Sequence, residues 1–210
     1  MQTRPNTMKT KGILLLIFLL CFIGRNQAQT HVGLKVGVNY VNNVAVNLPT
    51  YLDYESKYRL AFHIGVITKV ELKKNFSLNF ELILSDKGSN YVRMINAIQN
   101  ENVNLHLLYL NLPLLVSYNI LDKLNLEIGP EIGYLISARA KSSSIDVDLK
   151  STYDNNFDFG LATGMNYEFL DHWKIGVRYT HGFSSVIKTP DNYWKFQNRT
   201  LQLSIVYMIN

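Results

Sequence analysis

Carboxylates with cations at strand spacing are the groups in this chain best suited to chemistry. Glu127 and Glu131 stand four residues apart, and with Arg178 or Lys35 as a partner they have the residue types of a general acid and base. Spacing of two or four in a strand puts side chains on one face. By that parity the same face collects Lys35, Glu81, Arg139, Asp158, Glu168 and Arg178, together with Arg59, Lys69, Lys87, Lys174 and Glu71. Near balance of opposite charges favours structural ion pairs over catalysis, because such networks perturb titration without performing a reaction. His181 and Ser184 invite comparison with a serine nucleophile and its base, but parity sets them on opposite faces, away from the hydrogen bond a nucleophile needs. The five histidines, His31, His63, His106, His172 and His181, lie on different segments without metal-ligand spacing. Gly129 to Gly133 and Gly160 to Gly164 fall within strands, not at the strand-to-helix turn a phosphate loop requires. The triplet Asn198-Arg199-Thr200 is read as chance at a strand start. No catalytic residue, metal or cofactor is assigned, and the chain is not expected to be an enzyme.

What must position these charges is a set of long strands. From Leu124 to Arg139 even positions are apolar and odd ones mostly polar or glycine, which is period two over roughly sixteen residues. Soluble strands average about five or six residues, whereas a tilted membrane crossing with projecting ends is longer. Eight segments share the pattern: 32–41, 59–72, 76–88, 105–120, 124–139, 157–169, 173–187 and 199–209. Short turns, Lys73-Lys74-Asn75, Leu121-Asp122-Lys123 and Leu170-Asp171-His172, follow the second, fourth and sixth. Polar connections of about ten to seventeen residues follow the odd-numbered ones, too long for tight hairpins. Short turns at one end and long loops at the other predict an all-β, eight-stranded, antiparallel up-and-down transmembrane barrel.

Which face meets lipid follows from volume. One face of the eight strands carries about forty-five large apolar side chains, such as Leu108, Leu110, Leu112, Leu114 and Val116. An eight-stranded barrel has room inside only for filling side chains or one small ligand, so this face points outward and the glycine- and charge-bearing face lines the lumen. Paired charges there predict a plugged lumen; a narrow porin-like channel for ions or small solutes is the alternative. Aromatic belts are expected from Phe76, Tyr118, Tyr167, Phe169, Trp173 and Tyr207 at the short-turn end and from Tyr40, Phe157 and Phe183 at the other. Loop aromatics Tyr51, Tyr54, Tyr58, Tyr193 and Trp194 are candidates for protein or glycan contact, or for resting on the barrel mouth.

Residues 1–28 read as a cleaved signal peptide: Lys9 and Lys11 precede the apolar run Ile13 to Ile23, and Ala28 supplies a small residue at the cut. The barrel domain is then 29–210. Removing the signal takes Arg4, Lys9, Lys11 and Arg25 but no acid, so the net charge falls from +5 to +1. A basic surface for nucleic acid is thereby excluded. The only cysteine, Cys21, leaves with the signal, so thiol and disulfide chemistry go with it.

Several segments together resemble the PorT-type outer-membrane beta-barrel family: Gly33-Leu34-Lys35-Val36-Gly37-Val38-Asn39, Tyr109-Leu110-Asn111-Leu112-Pro113-Leu114, Gly129-Pro130-Glu131-Ile132-Gly133-Tyr134-Leu135, Asp158-Phe159-Gly160-Leu161 and Gly176-Val177-Arg178-Tyr179. Ser85-Asp86-Lys87-Gly88 and the closing Leu201 to Tyr207 fit as well. Asn111 stands where the family pattern has glutamate, removing one lumen charge, and Met208-Ile209-Asn210 follow the aromatic Tyr207 that such barrels commonly end on. The resemblance implies an integral protein of the bacterial outer membrane, in contact with its lipid. Its namesake implies an accessory role in type IX secretion or envelope assembly, with envelope or secretion-machinery proteins as partners. A monomer is the expected state.

Overall fold

The computed structural model describes residues 29–47, 56–96, 99–153, 156–185 and 195–209. The signal segment and the loop candidates Tyr51, Tyr54, Tyr193 and Trp194 lie outside these residues. The strands in chain order are β1 (Thr30–Val46), β2 (Ser56–Lys57), β3 (Arg59–Lys73), β4 (Phe76–Asn96), β5 (Gln99–Leu121), β6 (Leu124–Lys141), β7 (Asp146–Asp148), β8 (Phe157–Leu170), β9 (Trp173–Gly182) and β10 (Lys195–Ile209), with one 3-10 turn at Lys150–Thr152. The eight long strands pair antiparallel in the order β4-β3-β1-β10-β9-β8-β6-β5, and β5 pairs back onto β4. The ring therefore closes through the first and last strands, with register Val32↔Ile209 to Val46↔Lys195. Closure matters physically, since an open edge in lipid leaves backbone donors and acceptors without partners. In an eight-membered ring of this order β4 stands opposite β9, and β1 opposite β6.

Short connections join β3 to β4, β5 to β6 and β8 to β9 at one end. His172, in the two-residue connection between β8 and β9, takes a left-handed φ of 69°. At the other end the structure corrects one boundary strongly. Residues 89–104, read from the sequence as a loop, are mostly strand: β4 and β5 run to Asn96 and Gln99 and stay paired, Val92 opposite Asn102 and Asn96 opposite Gln99. Period-two patterning fades there because no lipid faces the hairpin, while backbone pairing needs no apolar side chains. For the same reason β10 begins at Lys195 and not at Arg199; β9, by contrast, ends at Gly182, short of the expected Ile187.

More than forty large hydrophobic side chains among the described residues are exposed, including Val32, Leu34, Val36 and Val38 of β1 and Leu110, Leu112, Leu114 and Val116 of β5. On β5 the outward positions run from Leu108 to Tyr118, about ten residue steps; at about 3.4 Å per step and a tilt near 40° they make a band roughly 25 Å tall, the height of a barrel's lipid-facing belt. Rings border it: Phe76 against Tyr118 at 4.8 Å and Trp173 against Tyr207 at 4.9 Å on the short-turn side, Tyr40 on Tyr58 at 4.5 Å and Tyr134 on Phe157 at 5.3 Å on the other. Among the described residues no helix is long and apolar enough to cross a membrane; the strands do the crossing.

Two irregularities adjust which side chains face in. Gly88 has φ of 111°, and a Cβ there would stand 2.1 Å from the Leu105 carbonyl oxygen, so only glycine fits this turn of the strand. On β6 the register slips between Leu135 and Ser137, leaving Ile136 as an extra residue opposite β5. Leu135 and Ala138 both point inward and are buried, so Arg139, expected in the lumen by simple alternation, is exposed on the outer wall.

Candidate functional site

The middle of the barrel is held by one four-charge cross. Arg178 of β9 donates from Nη1 and Nη2 to both oxygens of Glu81 on β4, each at 2.7 Å. Its Nε donates to Glu127 Oε1 on β6 at 2.7 Å. Lys35 of β1 donates to Glu81 Oε2 at 3.2 Å, and Asn166 of β8 donates to Glu127 Oε2 at 2.9 Å. All four charged residues are buried. Two positive and two negative groups therefore neutralise each other where an unpaired charge would be costly. Arginine suits the place because its planar fork meets two carboxylates at once.

Toward the long-loop end a second cluster forms around Lys87. Its Nζ lies 3.0 Å from Glu131 Oε1 and 3.5 Å from Asp158 Oδ2, and 5.1 Å from the centre of the Tyr109 ring. Asn198 donates to Asp158 Oδ2 at 2.9 Å. Glu131 thus pairs with Lys87, not with the Arg178 or Lys35 that the sequence suggested. Between the two clusters His63 bridges Asn39 Oδ1 at 2.7 Å and Ser204 Oγ at 3.0 Å. Gly37 makes room for it: a Cβ at that position would stand 2.6 Å from His63 Cε1 and 2.0 Å from the Leu203 carbonyl oxygen. His63 was not read from the sequence as a lumen group, although it shares the inward parity of Arg59 and Lys69 on β3.

Apolar groups close the lumen above and below these charges. Leu105, Leu107, Tyr109, Leu135, Ala138, Tyr153 and Phe196 pack at the long-loop end, and Ile67, Val206 and Met208 pack near the short turns. Beneath them opens a vestibule of about 340 Å³ lined by His31, Lys69, Glu71, Glu168, Asp171, His172 and Lys174. Here Lys69 pairs with Glu71 at 2.8 Å and Lys174 with Glu168 at 3.3 Å. Glu168 is therefore a mouth residue, separate from the buried cross.

Beyond the membrane, Glu101 of β5 gathers the connection after β6. Ser143 Oγ and the Ser144 N–H each donate to its Oε1 at 3.0 Å. Hydrogen bonds from Ser142 and Ser144, helped by Ser143, hold this carboxyl down to about 2. His181 sits on the outer wall, 3.4 Å from the Tyr179 hydroxyl, whereas the Ser184 hydroxyl accepts the Phe159 N–H at 3.0 Å, so the two are not brought together. Tyr58 is exposed and stacked on Tyr40. Among the described residues no group of histidines and acids has the arrangement of a metal site.

Comparisons with known proteins agree with this architecture. Neisserial surface protein A shares 8% identity, with 87% of this chain and 99% of that chain covered and a TM-score of 0.50. OprG of Pseudomonas aeruginosa shares 10%, with 87% and 97% covered and a TM-score of 0.50. Ail, the attachment invasion locus protein of Yersinia pestis, shares 12%, with 86% and 99% covered and a TM-score of 0.47. No curated protein matches the sequence. The profile of a bacterial outer-membrane family, described as outer membrane protein beta-barrel domain, matches residues 27–188. A closed ring of eight strands, an apolar outer band and that match together establish that the chain belongs to the outer membrane protein beta-barrel domain family.

Proposed function

We propose that the protein is a closed barrel whose charged lumen is structural and whose work is done by binding at its long-loop side. The observation that carries this reading is the Arg178 guanidinium, which spans the bore from β9 to Glu81 on β4 and is itself buried. A solute crossing the barrel would have to break that fork and the Lys35 contact with it. Purified protein in a planar bilayer is expected to give no steady single-channel steps. Regular steps from wild-type protein would favour the narrow-channel reading instead.

At finer grain, the motifs around Lys35, Leu112, Glu131, Asp158 and Arg178 support a PorT-type barrel that serves type IX secretion or envelope assembly as an accessory. Long loops on a rigid scaffold are where binding residues concentrate. Affinity capture from mild-detergent membranes tests this: reproducible recovery of secretion or envelope-assembly components supports the accessory role, and recovery of the barrel alone removes it.

A further inference from the structure

At the long-loop edge of the lipid-facing band, the outer wall carries a cavity of about 240 Å³ lined by Phe62, Asp86, His106, Leu108, Ser137, Arg139 and Lys141. Long loops of such barrels lie outside the cell, so this edge meets the headgroups of the outer leaflet. We propose that the cavity binds the phosphate of a phosphomonoester lipid there, with Arg139 and Lys141 holding the phosphate oxygens.

Register stacks the lining in the order such a lipid presents. Leu108 is the outermost apolar position of the band on β5, and it pairs with Ser137 of β6. Two residues further out His106 pairs with Arg139, and two further again Asn104 pairs with Lys141. An apolar wall, a hydroxyl and two cations therefore follow one another away from the bilayer, as acyl chains, polar linker and phosphate do in the ligand. The bulge at Ile136 creates this order, since simple alternation would turn Ser137, Arg139 and Lys141 into the lumen.

The local charges leave a cation to spare. Asp86 is buried, and both its oxygens are occupied: Arg59 Nη2 donates to Oδ1 at 2.9 Å, and His106 Nδ1 lies 3.0 Å from Oδ2. Arg59 thus offsets the one carboxylate in the lining. Asp148 stands opposite Arg139 on β7, but its Oδ1 accepts the Lys150 N–H at 2.8 Å. Among the described residues the exposed Arg139 guanidinium has neither an ion pair nor a hydrogen bond. Lys141 pairs with Asp146 at 3.6 Å, both side chains being about half exposed, and a contact of that kind is weak enough for a phosphate to displace.

Size and reach agree with a headgroup. Arg139 and Lys141 are two residues apart on one face, about 7 Å along the strand, so their long side chains can meet on one phosphate. The planar fork of arginine takes two phosphate oxygens at once, and lysine adds a point charge. The cavity is smaller than the roughly 300–1,000 Å³ of sites for drug-sized ligands, so it admits the phosphate and its linker while the acyl chains stay in the bilayer beside Phe62 and Leu108. An arginine that only extended toward water would need no such cavity.

The test uses the full barrel folded in mild non-ionic detergent and native mass spectrometry, which counts lipids that stay on the protein. Wild type is expected to retain one molecule of phosphorylated lipid A, and to retain dephosphorylated lipid A about tenfold less. The double variant Arg139→Gln with Lys141→Gln should cut retention of the phosphorylated lipid by about tenfold or more, with folding verified by the boiling-dependent shift on a gel. Lys74→Gln, exposed in a short turn at the opposite end, should leave retention unchanged, and inorganic phosphate at the lipid's concentration should not displace it. The proposal is overturned by equal retention of the two lipids, by retention that survives the double substitution, or by an equal loss in Lys74→Gln. Displacement by inorganic phosphate overturns it too, by marking a site for the free anion.

Discussion

Arg178 and Glu81 meet across the full width of the barrel: Nη1 to Oε2 and Nη2 to Oε1 are both 2.7 Å, and the two residues stand on opposed strands of the ring. Lys35 and Glu127, on the other opposed pair of strands, join the same two groups. The cross thus ties four walls that share no direct backbone hydrogen bonds.

Arg178→Met is expected to strand Glu81 and Glu127 in the interior, costing about 3–5 kcal/mol. Arg178→Lys restores charge without the fork and should recover only part of that loss. Urea unfolding in lipid, followed by tryptophan fluorescence, measures both. Equal stability of wild type and Arg178→Met would remove the structural role assigned to the cross.

At Gly88 the demand is on the backbone. With φ at 111° and the Leu105 carbonyl oxygen 2.1 Å from a built Cβ, Gly88→Ala should cost about 1–3 kcal/mol from strain alone. The same urea titration reads it, and an unchanged midpoint would mean that the strand relaxes freely at this point.

Glu101 makes the pH dependence of the extracellular side explicit. Its carboxyl is held at about 2 by the serines after β6, so the stabilisation is fully present above the ordinary carboxylate value and is lost progressively as pH falls from there through about 2. Hydrogen exchange of the Ser144 amide, which donates to Glu101 at 3.0 Å, should stay protected from pH 7 to pH 4. Glu101→Gln should lose much of that protection at every pH. Protection that already fades between pH 5 and pH 4 in the wild type would contradict the contact.

Period two was enough to read the eight strands, the outward apolar face and the ions that point in, because lipid outside and close packing inside punish every exception. It failed where those pressures lapse. Residues 89–104 stand clear of the band but keep their strand pairing, so their polar sequence resembles a loop. Arg139 was misplaced because a bulge leaves no mark in hydrophobic alternation when the extra residue, Ile136, is itself apolar. Partners within the lumen were not legible either: alternation says that Glu131 and Lys87 point inward, but which cation reaches which acid depends on the stagger of the ring.

Sidedness can be measured by depth. Leu112 lies near the middle of the outward row on β5, whereas Tyr118 lies at its short-turn border. Leu112→Arg should cost about 2–4 kcal/mol and Tyr118→Arg about 0–1 kcal/mol, since arginine at the border reaches headgroups and water while at the midplane it cannot. Folding titrations of the two variants in the same vesicles give the difference directly. Equal costs would mean that the row does not run through the depth of a bilayer.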